Sequence, residues 1–299
     1  MTTNESKKHK KNVKNVLRSK AMLVGAHKKC VREKVKVAVA TELVKGKYKC
    51  VNGKYETYLY DRETDMVELN RVYHTWYDHH HKVMTRPWEH GMRIIAKKGL
   101  KKWEAAFDAA KIAYSAEVQR IGDRWDEVMQ NAKEVNGDLF EHIEHLYPSA
   151  EGFVKTTSLE KAIRPIPMAD DLRVSLSDSD VEVVREQLRM QHEKGLKDVY
   201  ERLCDGVRHA RKQLSDGKRI HSSVLHNIED IVSALDGLNV PDENGNINQD
   251  LEDIGNKITS ELLDTDLKEL KKDDELKAKK AEKAGELVDE LEDKLKGYV

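Results

Sequence analysis

The chain has 299 residues, of which 36% are charged and 38% hydrophobic, and only three are Phe. So small an apolar share excludes one large globular core and suits long helices with narrow apolar seams. The net charge of −1 conceals an asymmetry: residues 1–50 carry 15 Lys and Arg against Glu5, Glu33 and Glu42, and the balancing acids lie in the remainder.

Residues 1–12 are polar and lysine-rich and are expected to be disordered. Val13, Val16, Leu17, Ala21 and Val24 predict a short helix after them, so residues 1–30 read as a basic N-terminal arm. Val31, Val35, Val37 and Val39 fall at spacing two and predict a strand. Asn52-Gly53 predicts a hairpin, because a type I′ turn needs positive φ at both central residues. With Tyr48, Tyr55, Tyr58 and Tyr60 nearby, a two- or three-stranded sheet is expected near residues 34–60, within a small β element at 31–62.

Helical period takes over after Thr64. One helix runs from Met66 to Val83 and stops at Arg86-Pro87, since Pro disfavours helical geometry in the residue before it. A long helix follows from about Gly99 to Val135, with Trp103, Phe107, Tyr114 and Trp125 on its seam and Asn136-Gly137 as its cap. A short helix ends at Pro148, and Arg164–Pro167 reads as extended. Ser177 and Asp180 approximate a capping box for a helix that runs to Leu214. Another helix spans Val224–Leu238, and a loop, Asn239–Asn248, separates it from Leu251, Ile254, Ile258 and Leu262. Residues 266–299 read as a charged C-terminal helix. The predicted fold is mainly α: an elongated antiparallel helical bundle or coiled coil at 63–265, with a small N-terminal β hairpin or sheet. The helix from Val181 to Leu214 is expected to pack antiparallel to the one from Leu100 to Met129.

A basic arm on an acidic body binds a polyanion by releasing its counterions, or docks on an acidic surface. The candidate nucleic-acid-binding residues are Lys7, Lys8, Lys10, Lys11, Lys14, Arg18 and Lys20. Lys97, Lys98, Lys101 and Lys102 join them at the start of the long helix. Positive charge there opposes the helix dipole, and an anionic ligand would relieve that cost.

His74, Asp78 and His81, at i, i+4 and i+7, could present three metal ligands on one helical face, and His142 with His145 could present two. No HExxH pattern supports either, and such spacing is more often solvated or packed, so no metal and no cofactor is expected. Neither GxGxxG, GxxxxGK[ST] nor GxSxG occurs, and no catalytic residues are expected. Cys30, Cys50 and Cys204 form no CxxC pair, which suits a reducing compartment. No apolar run approaches the roughly 18 residues that span a bilayer, and no apolar signal core opens the chain. A cytoplasmic, non-enzymatic protein without membrane contact is the expectation.

Several blocks, in order, resemble an uncharacterised protein family of tailed bacteriophages. Thr85-Arg86-Pro87-Trp88-Glu89-His90-Gly91-Met92-Arg93-Ile94-Ile95 is similar to its TLPW-x-x-x-G-x-R-L-L segment, with Arg86 where an apolar residue is expected. Tyr147-Pro148-Ser149 resembles its YPS turn. Ile166-Pro167-Met168-Ala169-Asp170-Asp171-Leu172-Arg173-Val174 resembles its PVPxxxDFRV segment. Arg219–Val224 with Asn227-Ile228 and Leu238-Asn239-Val240 resembles FRDSLVxN…LNI. The likeness spans roughly residues 64–265. It implies a phage protein in the host cytoplasm, in an accessory role, since genes of that family often neighbour a MoxR- or cobaltochelatase-like AAA+ ATPase. The expected function is therefore protein–protein interaction with a host or phage partner, with self-association. Nucleic-acid binding through the basic arm is the alternative.

Overall fold

The computed structural model describes residues 16–30, 33–61, 63–89, 91–167, 178–216, 222–242, 245–265 and 267–298. The expected disorder at 1–12 and the capping box at Ser177 lie outside these residues. In chain order the first elements are α1 (Val16–Lys20), β1 (Ala21–Lys29), β2 (Lys34–Lys36), α2 (Ala38–Tyr48), β3 (Glu56–Tyr58) and α3 (Val67–Trp76). A π-turn (Tyr77–His81) and a last turn (Lys82–Met84) extend α3. Then come β4 (Arg86–Pro87), β5 (Arg93–Ala96), α4 (Lys97–Asp123), α5 (Trp125–Asn136), α6 (Phe140–Ile143), α7 (Ala150–Thr156) and β6 (Ser158–Arg164). The rest is helical: α8 (Asp178–Ser215), α9 (Ser222–Leu238), α10 (Gln249–Ile258) with a π-turn to Leu263, α11 (Leu267–Lys272) and α12 (Asp274–Lys296). The chain is thus mainly helical with little sheet, and no described helix is long and apolar enough to cross a membrane.

Two compact units divide the chain. The first takes Met1–Gly25, His81–Trp103 and Ile163–Val299; the second takes Ala26–His80 and Glu104–Ala162.

In the first unit, β5 pairs antiparallel with the start of β1, Ala21 opposite Ala96 and Val24 opposite Arg93. β4 pairs with β5 on its other side. β4 and β5 form a hairpin whose turn places Gly91 at φ +73°, with Trp88 N–H donating to the Met92 carbonyl at 3.1 Å. Only a residue without Cβ enters that left-handed region at no cost. The predicted helix over 13–24 is corrected here. It ends at Lys20, because Ala21, Leu23 and Val24 bury themselves as a strand beside Ile94 and Ile95.

The core of this unit is helical. Leu196, Val199, Leu203, Val207 and Ala210 of α8 meet Ala284, Leu287, Val288 and Leu291 of α12, with Ile228 and Leu235 of α9 and Ile254 and Ile258 of α10 closing the sides. The expected pairing of α8 with the Leu100–Met129 helix is therefore corrected: α12 covers the α8 seam, and α9 is its next neighbour. Four apolar residues at three-four spacing suffice to bury one face of a helix that is otherwise Lys and Glu. Asp273 caps α12 by accepting the Leu276 N–H at 2.9 Å, and Asn248 caps α10 by accepting that of Leu251 at 2.9 Å.

Helices α4 and α9 cross backbone to backbone at Gly99 and Gly237. A Cβ on Gly99 would come within 2.5 Å of the Gly237 Cα, which is main chain and cannot turn aside. Gly99→Ala is expected to destabilise the chain by about 2 kcal/mol or more, the scale of overpacking that moves a backbone. Gly46, within α2, has nothing within 4 Å, so Gly46→Ala should stabilise by about 0.5–1 kcal/mol through helix propensity. Thermal melts of the two variants that moved in the same direction would contradict this crossing.

In the second unit, the end of β1 lies beside β6, with Lys29 and Glu160 paired at 2.8 Å. The core is aromatic. Trp76 meets Phe107 edge-on at 5.3 Å, and Trp125 lies 5.0 Å from Phe153 with Tyr60 against both. Buried Asp65 sits 3.4 Å from the Arg124 guanidinium and accepts from Asn131 at 3.2 Å. The long predicted helix breaks once, at Arg124, into α4 and α5, and α5 ends at Gly137 with φ +51°. β6 covers residues the sequence had left unassigned.

A small antiparallel sheet does form near residues 34–60, from β2 and β3, but the hairpin at Asn52-Gly53 is corrected. β2 stops at Lys36, and residues 38–48 form α2, because Ala38, Ala40, Glu42, Leu43 and Lys45 all favour a helix. The left-handed residue is Lys49 (φ 50°), which ends α2. Gly53 has no positive φ; it is packed so close to Cys50 that a Cβ would lie 2.6 Å from its Sγ.

Candidate functional site

Of the predicted nucleic-acid-binding residues, Lys7, Lys8, Lys10, Lys11 and Lys14 lie outside the described residues, as does the Arg18 side chain. Three others, distant in sequence, share one place in the first unit. Lys20, Lys97 and Lys98 line a cleft of about 630 Å³ together with Asp236, Asn246 and Glu252. Lys20 Nζ donates to the Gly245 carbonyl at 3.0 Å, and Lys98 lies 3.8 Å from Asp236. Lys102 donates to Ser233 Oγ at 3.2 Å, and Lys101 is exposed. The carboxylate that answers the lysines at the α4 N-terminus thus comes from α9. Asp236 and Glu252 interrupt the positive field that a polyanion would need.

The segment around Thr85 and Arg93 is held by hydrogen bonds. Thr85 donates its hydroxyl to the His81 carbonyl, and Arg93 Nε donates to Thr85 Oγ1 at 2.6 Å. Arg93 also donates to the Thr85 carbonyl at 2.8 Å. From α8, Arg202 donates to the carbonyls of Lys82 (2.7 Å) and Thr85 (3.1 Å) while pairing with Asp198. Two guanidinium groups thereby satisfy the carbonyls left over at the end of the turn Lys82–Met84, where positive charge also suits the helix dipole.

Arg86 is fully buried. It lies against Gly195 of α8, where a Cβ would come within 2.9 Å of its Nε, and Nη2 meets His192 Nδ1 at 3.2 Å. Its Nε and Nη1 have no hydrogen-bond partner. Burial, with the nearby charge of Arg202, pulls the guanidinium down to about 9. The same burial lowers His192 to about 4, with Arg86 adding to it.

His81 is also buried, and its Nδ1 accepts the Trp103 indole N–H at 3.0 Å. Desolvation lowers it to about 3, Arg93 contributing. It is a neutral packing group. The π-turn inserts a residue into the helical register, so His81 leaves the face on which His74 and Asp78 stand exposed. Among the described residues no group of three or more His, Cys, Asp and Glu could hold a metal ion. His142 and His145 are both exposed and line a different cleft, in the second unit.

The remaining feature is the start of α8. The helix has 38 residues and its partner α12 has 23, so α8 is 15 residues longer. Residues 179–194 bury no side chain completely. Val181, Val184 and Leu188 nevertheless continue the buried seam at the same spacing, half-exposed, and Val183 and Met190 are 56% and 58% exposed. Intrahelical ion pairs, Glu182–Arg185 (3.2 Å), Glu186–Arg189 (2.5 Å) and Arg189–Glu193 (2.7 Å), run along this stretch, and near its end Gln191 donates to Glu89 at 3.1 Å. Such exposed pairs contribute little, because water screens them.

Comparison with protein-family models, curated proteins and solved structures finds no match for this chain. Sequence reading found the α8 seam but not where its cover ends, since that depends on the length of α12. It did not read Arg86 as buried, because a charged side chain gives no signal of burial by itself.

Proposed function

We propose that this is a non-enzymatic protein that works through protein–protein contacts, and that the half-exposed first turns of α8 are its contact surface. The supporting observation is that residues 179–194 of α8 bury no side chain completely while Val181, Val184 and Leu188 keep the spacing of the seam, over about 24 Å of helix at 1.5 Å per residue. An apolar stripe of that length, edged by charges of both signs, fits another helix. The occupant is a second copy of the chain. Two overhangs set antiparallel bring Val181, Val184 and Leu188 of each against the other, and place Asp180 of one near Lys194 of the other. The elongated bundle expected from sequence belongs to this assembly, as two α8 helices joined end to end. Carrying over the phage resemblance, the assembly serves as an accessory or adaptor in the host cytoplasm, with an AAA+ ATPase among the candidate partners.

Nucleic-acid binding has the weaker support. Lys20, Lys97 and Lys98 converge, but on a cleft that holds two carboxylates.

Light scattering of the full chain at tens of micromolar tests the reading. A dimer is expected, and Leu188→Glu, on a half-exposed position, should return it to monomer with the thermal melt of the first unit retained. A chain that is monomeric with and without the substitution overturns the proposal.

A further inference from the structure

The second unit contains an open sheet edge. Leu59 N–H donates to the Glu33 carbonyl at 2.8 Å and Val37 N–H to that of Tyr55 at 3.1 Å. With Lys34 opposite Tyr58, Val35 opposite Thr57 and Lys36 opposite Glu56, the residues that exchange bonds with β3 are Glu33, Val35 and Val37. Lys34 and Lys36 therefore turn their backbone N–H and C=O groups away from β3, and no described residue takes them up. A cleft of about 580 Å³ is lined by residues 34–39 and Glu56 together with His142, Ile143, His145 and Leu146. Natural proteins usually cover or blunt such an edge, because it is a template for another strand.

The side chains define what would fit. Lys34 and Lys36 are exposed on one face of β2, while Val35 and Val37 are buried on the other. Lys34, Lys36 and Lys54 gather round one carboxylate, Glu56, which pairs with Lys34 at 3.1 Å. The open face is thus net positive. Val39 and Leu146 leave apolar surface exposed at the cleft.

We infer that the β2 edge accepts an extended segment of a partner protein in which acidic and apolar residues alternate. Hydrogen bonds from the Lys34 and Lys36 main chain extend the sheet by one strand. The pleat then sets the acidic side chains beside Lys34 and Lys36 and the intervening apolar ones beside Val35, towards Ile143 and Leu146. This inference names a second kind of partner for a protein read as working by protein contacts, and it uses none of the α8 surface.

The probe is a blocked heptapeptide of alternating Glu and Val, titrated into the full chain while amide exchange is followed residue by residue. The Lys34 and Lys36 amides are expected to gain protection. A Lys–Val counterpart should give none, and neither should a Glu–Val peptide N-methylated at the residues that face β2. Lys36→Glu, at an exposed position, should weaken binding about tenfold. Leu188→Glu should leave it unchanged, so a failure of the α8 reading and a failure of this one are told apart. Absence of protection at saturating peptide overturns the inference, as does equal binding of the Lys–Val peptide. Edge amides already protected in a self-associated chain without peptide would also overturn it, and would assign the edge to a second copy.

Discussion

Leu196→Asp is expected to unfold the first unit well below the melting temperature of the native chain. Leu196 is 5% exposed and sits where α8 first meets the shared core. A carboxylate there enters an apolar contact, and burying a charge in such a contact costs about 3 kcal/mol or more. Glu193→Ala, one turn earlier, removes only the ion pair with Arg189 at 2.7 Å, so its effect should stay under about 0.5 kcal/mol. Thermal melts of the two variants check both the face and the place where cover begins. If both proved harmless, α8 would not be packed as described.

Acid should loosen the same unit through its histidines. His81 and His192 are held neutral, at about 3 and about 4, against an ordinary value of 6.5. Below pH 6.5 the unfolded chain binds protons at these groups and the folded chain does not. Stability is therefore complete above pH 6.5, falls as the pH drops through the window, and stops falling from this cause below about 3. For fully buried His81 the loss should reach about 2 kcal/mol by pH 5, at about 1.4 kcal/mol per pH unit. His192, partly exposed, adds less. His81→Gln keeps an acceptor for the Trp103 indole and removes the titration. Urea midpoints at pH 7 and pH 5 should therefore converge in that variant relative to the native chain. Equal losses in both would exclude His81 as a source of acid sensitivity.

Much of the helical plan was legible because it rests on local signals. Pro87 ends the α3 region, Gly137 caps α5, and the seam from Leu196 to Leu214 is buried along its length. The strands were less legible, since partners decide them. Ala21–Val24 read as helix by propensity and become strand because β5 lies alongside. The valines from 31 to 39 alternate as a strand should, yet of those in the described residues only Val35 lies in β2, and Val39 falls in α2. The seam of α12 is thin in a Lys- and Glu-rich segment that reads as a charged helix, although Ala284, Leu287, Val288 and Leu291 are core. Of the basic residues, the gathering of Lys20 with Lys97 and Lys98 could not be read, because only the pairing of β1 with β5 brings residues so far apart in sequence together. The open edge of β2 was equally hidden: it depends on which residues of a three-residue strand face β3.

The division into two units has a consequence for synthesis. The first unit takes its parts from three separated stretches of chain, with Ala21 already paired to Ala96 while the α8 seam waits for Leu287 and Leu291. On the ribosome, residues 26–80 and 104–162 can complete their own core while the start of the first unit still lacks its last helix. Closure across so long a span is entropically slow. Until α12 emerges, the part of the α8 seam that Leu287 and Leu291 cover stands open on the nascent chain, and chaperone binding should be greatest in that interval.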